Sequence, residues 1–157
     1  FVRDKDAVIA CSFVAECAAW AADQGLTLYG LLQRIYSEFG LYKERLVSLT
    51  KKGLDGNEQI AQIMKKYRET RPAKLGNSPV VKVLDYSKPE LTGLPKSNVL
   101  RFFSEDGCVV TIRPSGTEPK IKFYVEVRGK MQSRADFDRC EAEATAKIDA
   151  VRASLGV

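Results

Sequence analysis

Residues 7–22, AVIACSFVAECAAWAA, are apolar at almost every position, broken only by Ser12 and Glu16. That pattern predicts a helix covered on several sides, because a helix facing one neighbour needs only a single apolar stripe. After Thr27, the spacing of Leu28, Leu31, Leu32, Ile35 and Phe39 predicts an amphipathic helix that stops at Gly40. Two helices cannot cover so broad a surface. Residues 1–40 therefore read as the tail of a preceding domain whose sheet lies upstream. The opening residues, Phe1-Val2-Arg3-Asp4-Lys5-Asp6, lack an initiator Met and the basic flank and apolar core of a signal peptide. The chain is expected to be a fragment.

From Leu41 the pattern becomes that of a self-sufficient α+β domain spanning 41–157. Leu41–Thr50 predicts a strand. Gly53 and Gly56 bracket a turn, and a helix capped by Asn57 carries Ile60, Ile63, Met64 and Tyr67 on one side before Pro72. Residues 80–84 form a short apolar strand, and Pro89, Gly93 and Pro95 mark a loop. Strands over 99–103 and 109–113 flank Ser104-Glu105-Asp106-Gly107, a hairpin whose Asp-Gly suits the positive φ of its turn. Residues 121–128 alternate, with Ile121, Phe123, Val125 and Val127 on one face and Lys122, Tyr124, Glu126 and Arg128 on the other. The last helix opens at Ser133, with Asp136 placed as in a capping box, and its stripe is Phe137, Cys140, Ala144, Ile148, Val151 and Leu155. Hairpin-paired strands with helices between them argue for a mainly antiparallel sheet carrying helices on one face.

Composition narrows the chemistry. The 157 residues include no His, so a Ser–His–Asp or Cys–His mechanism contained in this chain is excluded, as is a His-ligated metal. Cys11, Cys17, Cys108 and Cys140 form no CxxC pair and read as small apolar residues in a reducing, cytoplasmic compartment. No run approaches the roughly 18 apolar residues of a membrane span. Net charge is +5, and the surplus lies between Lys43 and Lys74, where nine basic residues face four acidic ones. Two readings of that segment stand: a solvated helix face, or a nucleic-acid surface around Lys65, Lys66, Tyr67, Arg68 and Arg71. The first is the plainer one.

The segment richest in chemistry is Arg113-Pro114-Ser115-Gly116-Thr117-Glu118-Pro119-Lys120-Ile121-Lys122. It reads as a loop between two strands, stiffened by prolines and offering two hydroxyls, a glycine and several cations. Gly116 lets a backbone N–H approach an anion closely, and the Arg113 fork fits two phosphate oxygens at once. Lys122, by strand parity, could reach the same anion. On the residues alone, an anion loop and an ordinary Pro-Gly turn both remain open. It is not a Walker A loop, since no Gly-Lys-Ser/Thr ending and no following helix are present. Asp4 and Asp6 could pair on a metal, although capping the first helix is the simpler reading. Ser115 as a nucleophile lacks any base to activate it.

The string RPSGTEPKIKFY strongly resembles the C-terminal phosphate loop of the phosphoglucomutase/phosphomannomutase family, the phosphohexose mutases. RDKDAVIA resembles the segment after that family's third-domain sugar loop, and LPKSNVLRFFSEDGCVVTIRPSGTEPKIKFYVEV resembles the core of its fourth domain. The resemblance implies a TATA-binding-protein-like fold built on a four-stranded, mainly antiparallel sheet, with residues 1–40 ending the third domain and 41–157 forming the fourth. It implies a reversible sugar 1-phosphate to 6-phosphate isomerisation of glucose or mannose phosphates through a 1,6-bisphosphate, with Mg2+ in the whole enzyme. On this pattern Arg113, Ser115, Gly116 and Thr117 clamp the non-reacting phosphate and Lys122 adds a second cation. Lys5 matches a lysine near the reacting groups, and equally reads as a solvated residue at a helix start. The family's TASHNP-like serine loop, DGDADR-like magnesium loop and GEESG-like sugar loop are absent, so the fragment alone is expected to be inactive. Its partners would be the phosphosugar and the missing N-terminal domains, with no membrane; the alternative reading is a stand-alone module that binds an anion through the loop 113–122 or RNA through the basic 65–71 surface. A dimer of the fragment through its first helix is the other way to cover that surface.

Overall fold

The computed structural model describes residues 5–157. They fall into two compact units: the chain as far as Leu41 together with Lys130–Cys140, and Tyr42–Gly129 together with Glu141–Val157.

In the first unit, α1 (Ala7–Asp23) begins at Asp6, whose carboxylate accepts the Ile9 N–H at 3.0 Å. Asp6 is thus a helix cap, and Asp4, its suggested partner on a metal, lies outside the described residues. Only Ala21 of α1 is buried, while Val8, Phe13, Val14 and Trp20 are all more than half exposed. The second helix, α2 (Leu28–Phe39), is capped by Thr27 and stops at Gly40, as its spacing predicts. Tyr29 and Tyr36 of α2 pack on Phe137, edge-on and stacked respectively. Phe137 follows a single 3₁₀ turn, Arg134–Asp136, which Ser133 and Asp136 close as a capping box.

The second unit is built on one sheet in the order β1-β6-β5-β4-β3-β2. Its strands are β1 (Leu41–Thr50), β2 (Lys74–Leu75), β3 (Ser78–Asp85), β4 (Leu100–Ser104), β5 (Val109–Pro114) and β6 (Lys120–Gly129). Every pairing from β2 to β6 is antiparallel. The Lys51 N–H, just past β1, donates to the Pro119 carbonyl just before β6, so that edge is antiparallel too. The strands expected over 41–50, 80–84, 99–103, 109–113 and 121–128 are β1, β3, β4, β5 and β6, and the sheet has six strands rather than four because β1 pairs on one edge and the short β2 on the other.

Side-chain alternation explains which face is covered. Phe102, Val110, Ile112, Ile121, Phe123 and Val125 are fully buried on one face. Helix α3 (Gly56–Glu69) lays Ile60, Met64 and Tyr67 there, with the Tyr67 ring against Phe102 and Phe123. Helix α5 (Phe137–Leu155) gives its later turns to the same layer through Ala144, Ile148 and Val151, and its Leu155 carbonyl accepts the Tyr67 hydroxyl at 3.0 Å. Lys43 and Arg45 of β1 pair with Glu141 and Asp149 of α5. The opposite face carries Tyr42, Arg101, Phe103, Thr111, Tyr124 and Glu126, with Arg101 over the Phe103 ring and Arg128 over Tyr42. The expectation of helices on one face of an antiparallel sheet is met.

Three local details depart from the sequence reading. Helix α3 starts at Gly56 with Asp55 at its N-cap, not at an Asn57 cap. The cause is steric: a Cβ on Gly56 would sit 2.5 Å from the Lys51 carbonyl oxygen, so glycine alone allows the helix to begin there. The loop containing Pro89 holds a helical turn, α4 (Pro89–Thr92), ended by Gly93 in the left-handed region. The β2 pairing is two residues long, too short to leave an alternation.

The hairpin turn between β4 and β5 is latched. Gly107 takes φ 80° as its turn requires. The buried Ser104 hydroxyl donates to Asp106 Oδ1 at 2.6 Å, and Lys147 of α5 reaches Asp106 Oδ2 at 2.7 Å. Burial pushes the Asp106 carboxyl up, but the bonds from Lys147, Ser104 and the Cys108 N–H outweigh it and hold it at about 2. Burial pushes the neighbouring Cys108 thiol up to about 11, so it behaves as a small core residue. Because the Asp106 carboxyl lies below its ordinary 3.8, its stabilising effect is complete above pH 4 and lost as pH falls toward 2. Asp106→Asn should therefore lower the melting temperature at pH 7, and the gap to the parent should close between about pH 4 and 2. A gap independent of pH over that range would contradict the latch.

Candidate functional site: the loop between β5 and β6

The register of the last hairpin is set by burial. Val110 pairs with Val125, Ile112 with Phe123, and Pro114 with Ile121, so the intervening pair, Arg113 and Lys122, shares the opposite face. A slip of one residue would carry Lys122 into the apolar layer, and this fixes the pairing. Beyond it, Ser115 N–H donates to the Lys120 carbonyl at 2.8 Å and closes a loop over 115–119.

That loop is held from both ends. The Pro119 carbonyl accepts the Lys51 N–H at 2.9 Å. Lys120 donates its backbone N–H to the Glu118 carbonyl at 2.7 Å and its ammonium to Glu118 Oε2 at 3.0 Å. Glu118, to which sequence reasoning assigned no role, thus occupies Lys120 within the loop. At the tip, Thr117 N–H donates to Ser115 Oγ at 3.4 Å, a long bond that leaves the Ser115 hydroxyl proton free to be donated elsewhere.

The structure brings Ser115, Gly116 and Thr117 together along a hollow of about 320 Å³, whose other lining includes Pro114, Asn98, and Asn57, Ile60, Ala61 and Met64 of α3. Arg113 and Lys122 do not line it. They stand side by side across the strand pair on the sheet face away from α3, and among the described residues neither is engaged in an ion pair. Lys5 belongs to the other unit, just before α1, with its backbone in the left-handed region at φ 55°.

Gly116 is informative for what does not require it. Its φ is not positive, and a Cβ built on it would meet nothing within 4 Å. Neither the turn nor its neighbours call for glycine at this position. What glycine supplies there is an open approach to the backbone from outside the protein.

The alternative basic surface is divided by the fold. Tyr67 is committed to the core, where burial raises its hydroxyl pKa, and Arg68 is tied to Asp85 at 3.1 Å and Asn98 at 2.6 Å. Lys65 faces Glu69 at 3.9 Å along the helix.

The sequence profile of the phosphoglucomutase/phosphomannomutase C-terminal domain matches residues 54–147. A phosphoglucomutase of Staphylococcus aureus (strain bovine RF122 / ET3-1) is 38% identical over 82% of this chain, and one of Staphylococcus haemolyticus (strain JCSC1435) is 34% identical over 81%. In both cases the chain spans about 25% of the relative's length. The open form of pp63/parafusin from Paramecium, a phosphoglucomutase crystal structure, aligns with 80% of this chain and 24% of its own, at 17% identity and a TM-score of 0.42.

Since no protein atom occupies the space beside Gly116, Gly116→Ala should leave the melting temperature unchanged or raise it slightly, by restricting the unfolded chain. A clear loss of thermal stability would show that the loop itself depends on this glycine.

Proposed function

The chain belongs to the phosphoglucomutase/phosphomannomutase family, and we propose that it is the C-terminal part of a longer polypeptide that interconverts sugar 1-phosphates and 6-phosphates of glucose, mannose or both. In this reading residues 1–40 end the third domain and 41–157 form the fourth. The reaction passes through a sugar bisphosphate, and this part holds the phosphate that is not reacting.

The observation that carries the reading is the loop over 115–119. Two hydroxyls and a glycine open to solvent sit beside a hollow, next to two cations without ion-pair partners at the ends of the flanking strands. A dianion at the loop tip would accept from the Ser115 and Thr117 hydroxyls and the Gly116 N–H. Arg113 would reach it with its planar fork and Lys122 with a second positive charge. Each charge-assisted bond contributes about 1.5–3 kcal/mol. Binding a remote phosphate in this way orients the sugar and closes the site over it, which lowers the barrier at a reacting group some distance away.

Chemistry at the reacting phosphate belongs to other residues. Lys5 is the one candidate here, placed near the reacting groups only by resemblance. Among the described residues no cluster of three His, Cys, Asp or Glu side chains offers a ligand set for the Mg2+ that the family implies. Its ligands would lie elsewhere in the longer polypeptide. No helix among the described residues is long and apolar enough to cross a membrane.

Arg113→Ala in the complete polypeptide should lower kcat/KM for glucose 1-phosphate by about 10–100-fold through lost orientation, with an unchanged melting temperature. Unaltered kinetics in that variant would remove the clamp.

A further inference from the structure

We propose that Asn98 is a further phosphate-binding residue of this site, a neutral donor whose orientation is imposed from behind by Arg68 and Asp85. The inference rests on the reading of the loop as a phosphate clamp and adds a residue that lies outside the loop.

Asn98 lines the same hollow as Ser115, Gly116 and Thr117, although it comes from the connection between α4 and β4. Its side-chain oxygen accepts from the Arg68 guanidinium at 2.6 Å. Arg has only donors, so the atom facing it must be the carbonyl oxygen. The amide NH2 is then left as a two-proton donor at the edge of the hollow, with its acceptor end already used.

Arg68 is itself anchored. Its Nε donates to the buried Asp85 at 3.1 Å, and Asp85 also accepts the Ser87 N–H at 3.0 Å. Asp85 therefore holds Arg68, Arg68 holds the Asn98 oxygen, and the Asn98 amide can only donate. This suits an acceptor-only ligand such as a phosphate dianion, and disfavours ligand groups that donate there. Arg68 is a positioning residue, acting through Asn98.

The test is Asn98→Asp in the complete polypeptide, assayed with glucose 1-phosphate. The carboxylate keeps the shape and the bond to Arg68 while placing an anionic acceptor where the donor stood. The expected result is a KM raised about tenfold or more, kcat within about threefold, and a melting temperature unchanged or higher. Asn98→Ala, which only removes the donor, should raise KM about three- to tenfold. Arg68→Met should raise KM by itself and add little in the Asn98→Ala background, because it acts through the same group. A purely structural Arg68 would lower the melting temperature without moving KM, and would overturn its assigned part. If both Asn98 variants keep KM within twofold while Gly116→Ala and Arg113→Ala impair turnover, Asn98 is not a ligand and the loop reading stands. If none of these variants alters kinetics, the loop reading fails and this inference with it.

Discussion

The register of the β5–β6 hairpin is the constraint on which the rest of the second unit depends. Ile121, Phe123, Val125 and Val127 are buried to within 1% of completeness, so sliding the strand by one position would bury Lys122, Tyr124 and Glu126 instead. Stripping charges of water against an apolar layer costs several kcal/mol, more than any alternative pairing could recover. With the register set, Ser115 must meet Lys120, and the loop has a defined length and exit direction. Pro119 then meets Lys51, which ties the loop to the chain entering α3. The glycine start of α3, pressed against the carbonyl of the same residue, Lys51, brings Asn57 and Ile60 to the hollow that the loop lines.

This arrangement separates rigidity from charge. The loop's hydroxyls and backbone are positioned by strand ends and prolines, whereas Arg113 and Lys122 are long side chains standing in solvent on the other face. An exposed cation without a partner costs little, because water screens it, yet it remains available to an anion. Elsewhere in the unit, Asp85, Asp106, Glu141 and Asp149 each hold a cation in place. Arg113 and Lys122, which make no ion pair among the described residues, flank a loop whose glycine faces open space.

Much of this is legible in the residues themselves. The alternation from Ile121 to Val127, the Asp-Gly turn at Asp106-Gly107 and the Ser133/Asp136 box are strong local signals, and the elements they predict are present. The loop RPSGTEPK was visible as a cluster of anion-binding residue types, but not its geometry. Strand parity places Lys122 on the face away from Ile121, and only the pairing with Arg113 shows that both cations leave the hollow to the hydroxyls. The N-cap of helix α3 lies two residues before the Asn57 cap that the sequence suggests, because a packing contact and not a capping side chain decides it. Asn98 could not be picked out, since an exposed Asn after Pro95-Lys96-Ser97 looks like any loop residue. Its meaning comes from Arg68, thirty positions earlier. The grouping of Lys130–Cys140 with the first two helices rests on Phe137 packing against Tyr29 and Tyr36, a contact between distant segments that no local pattern encodes.

The central claim is that the loop over 115–119 receives the phosphate that is not reacting. A crystal structure of the complete polypeptide with bound glucose 6-phosphate tests it most directly. The account predicts the phosphate oxygens within hydrogen-bond reach of the Ser115 and Thr117 hydroxyls and the Gly116 N–H, with the Arg113 guanidinium turned toward them. A fully occupied sugar phosphate whose phosphate touches none of residues 113–117 would contradict it.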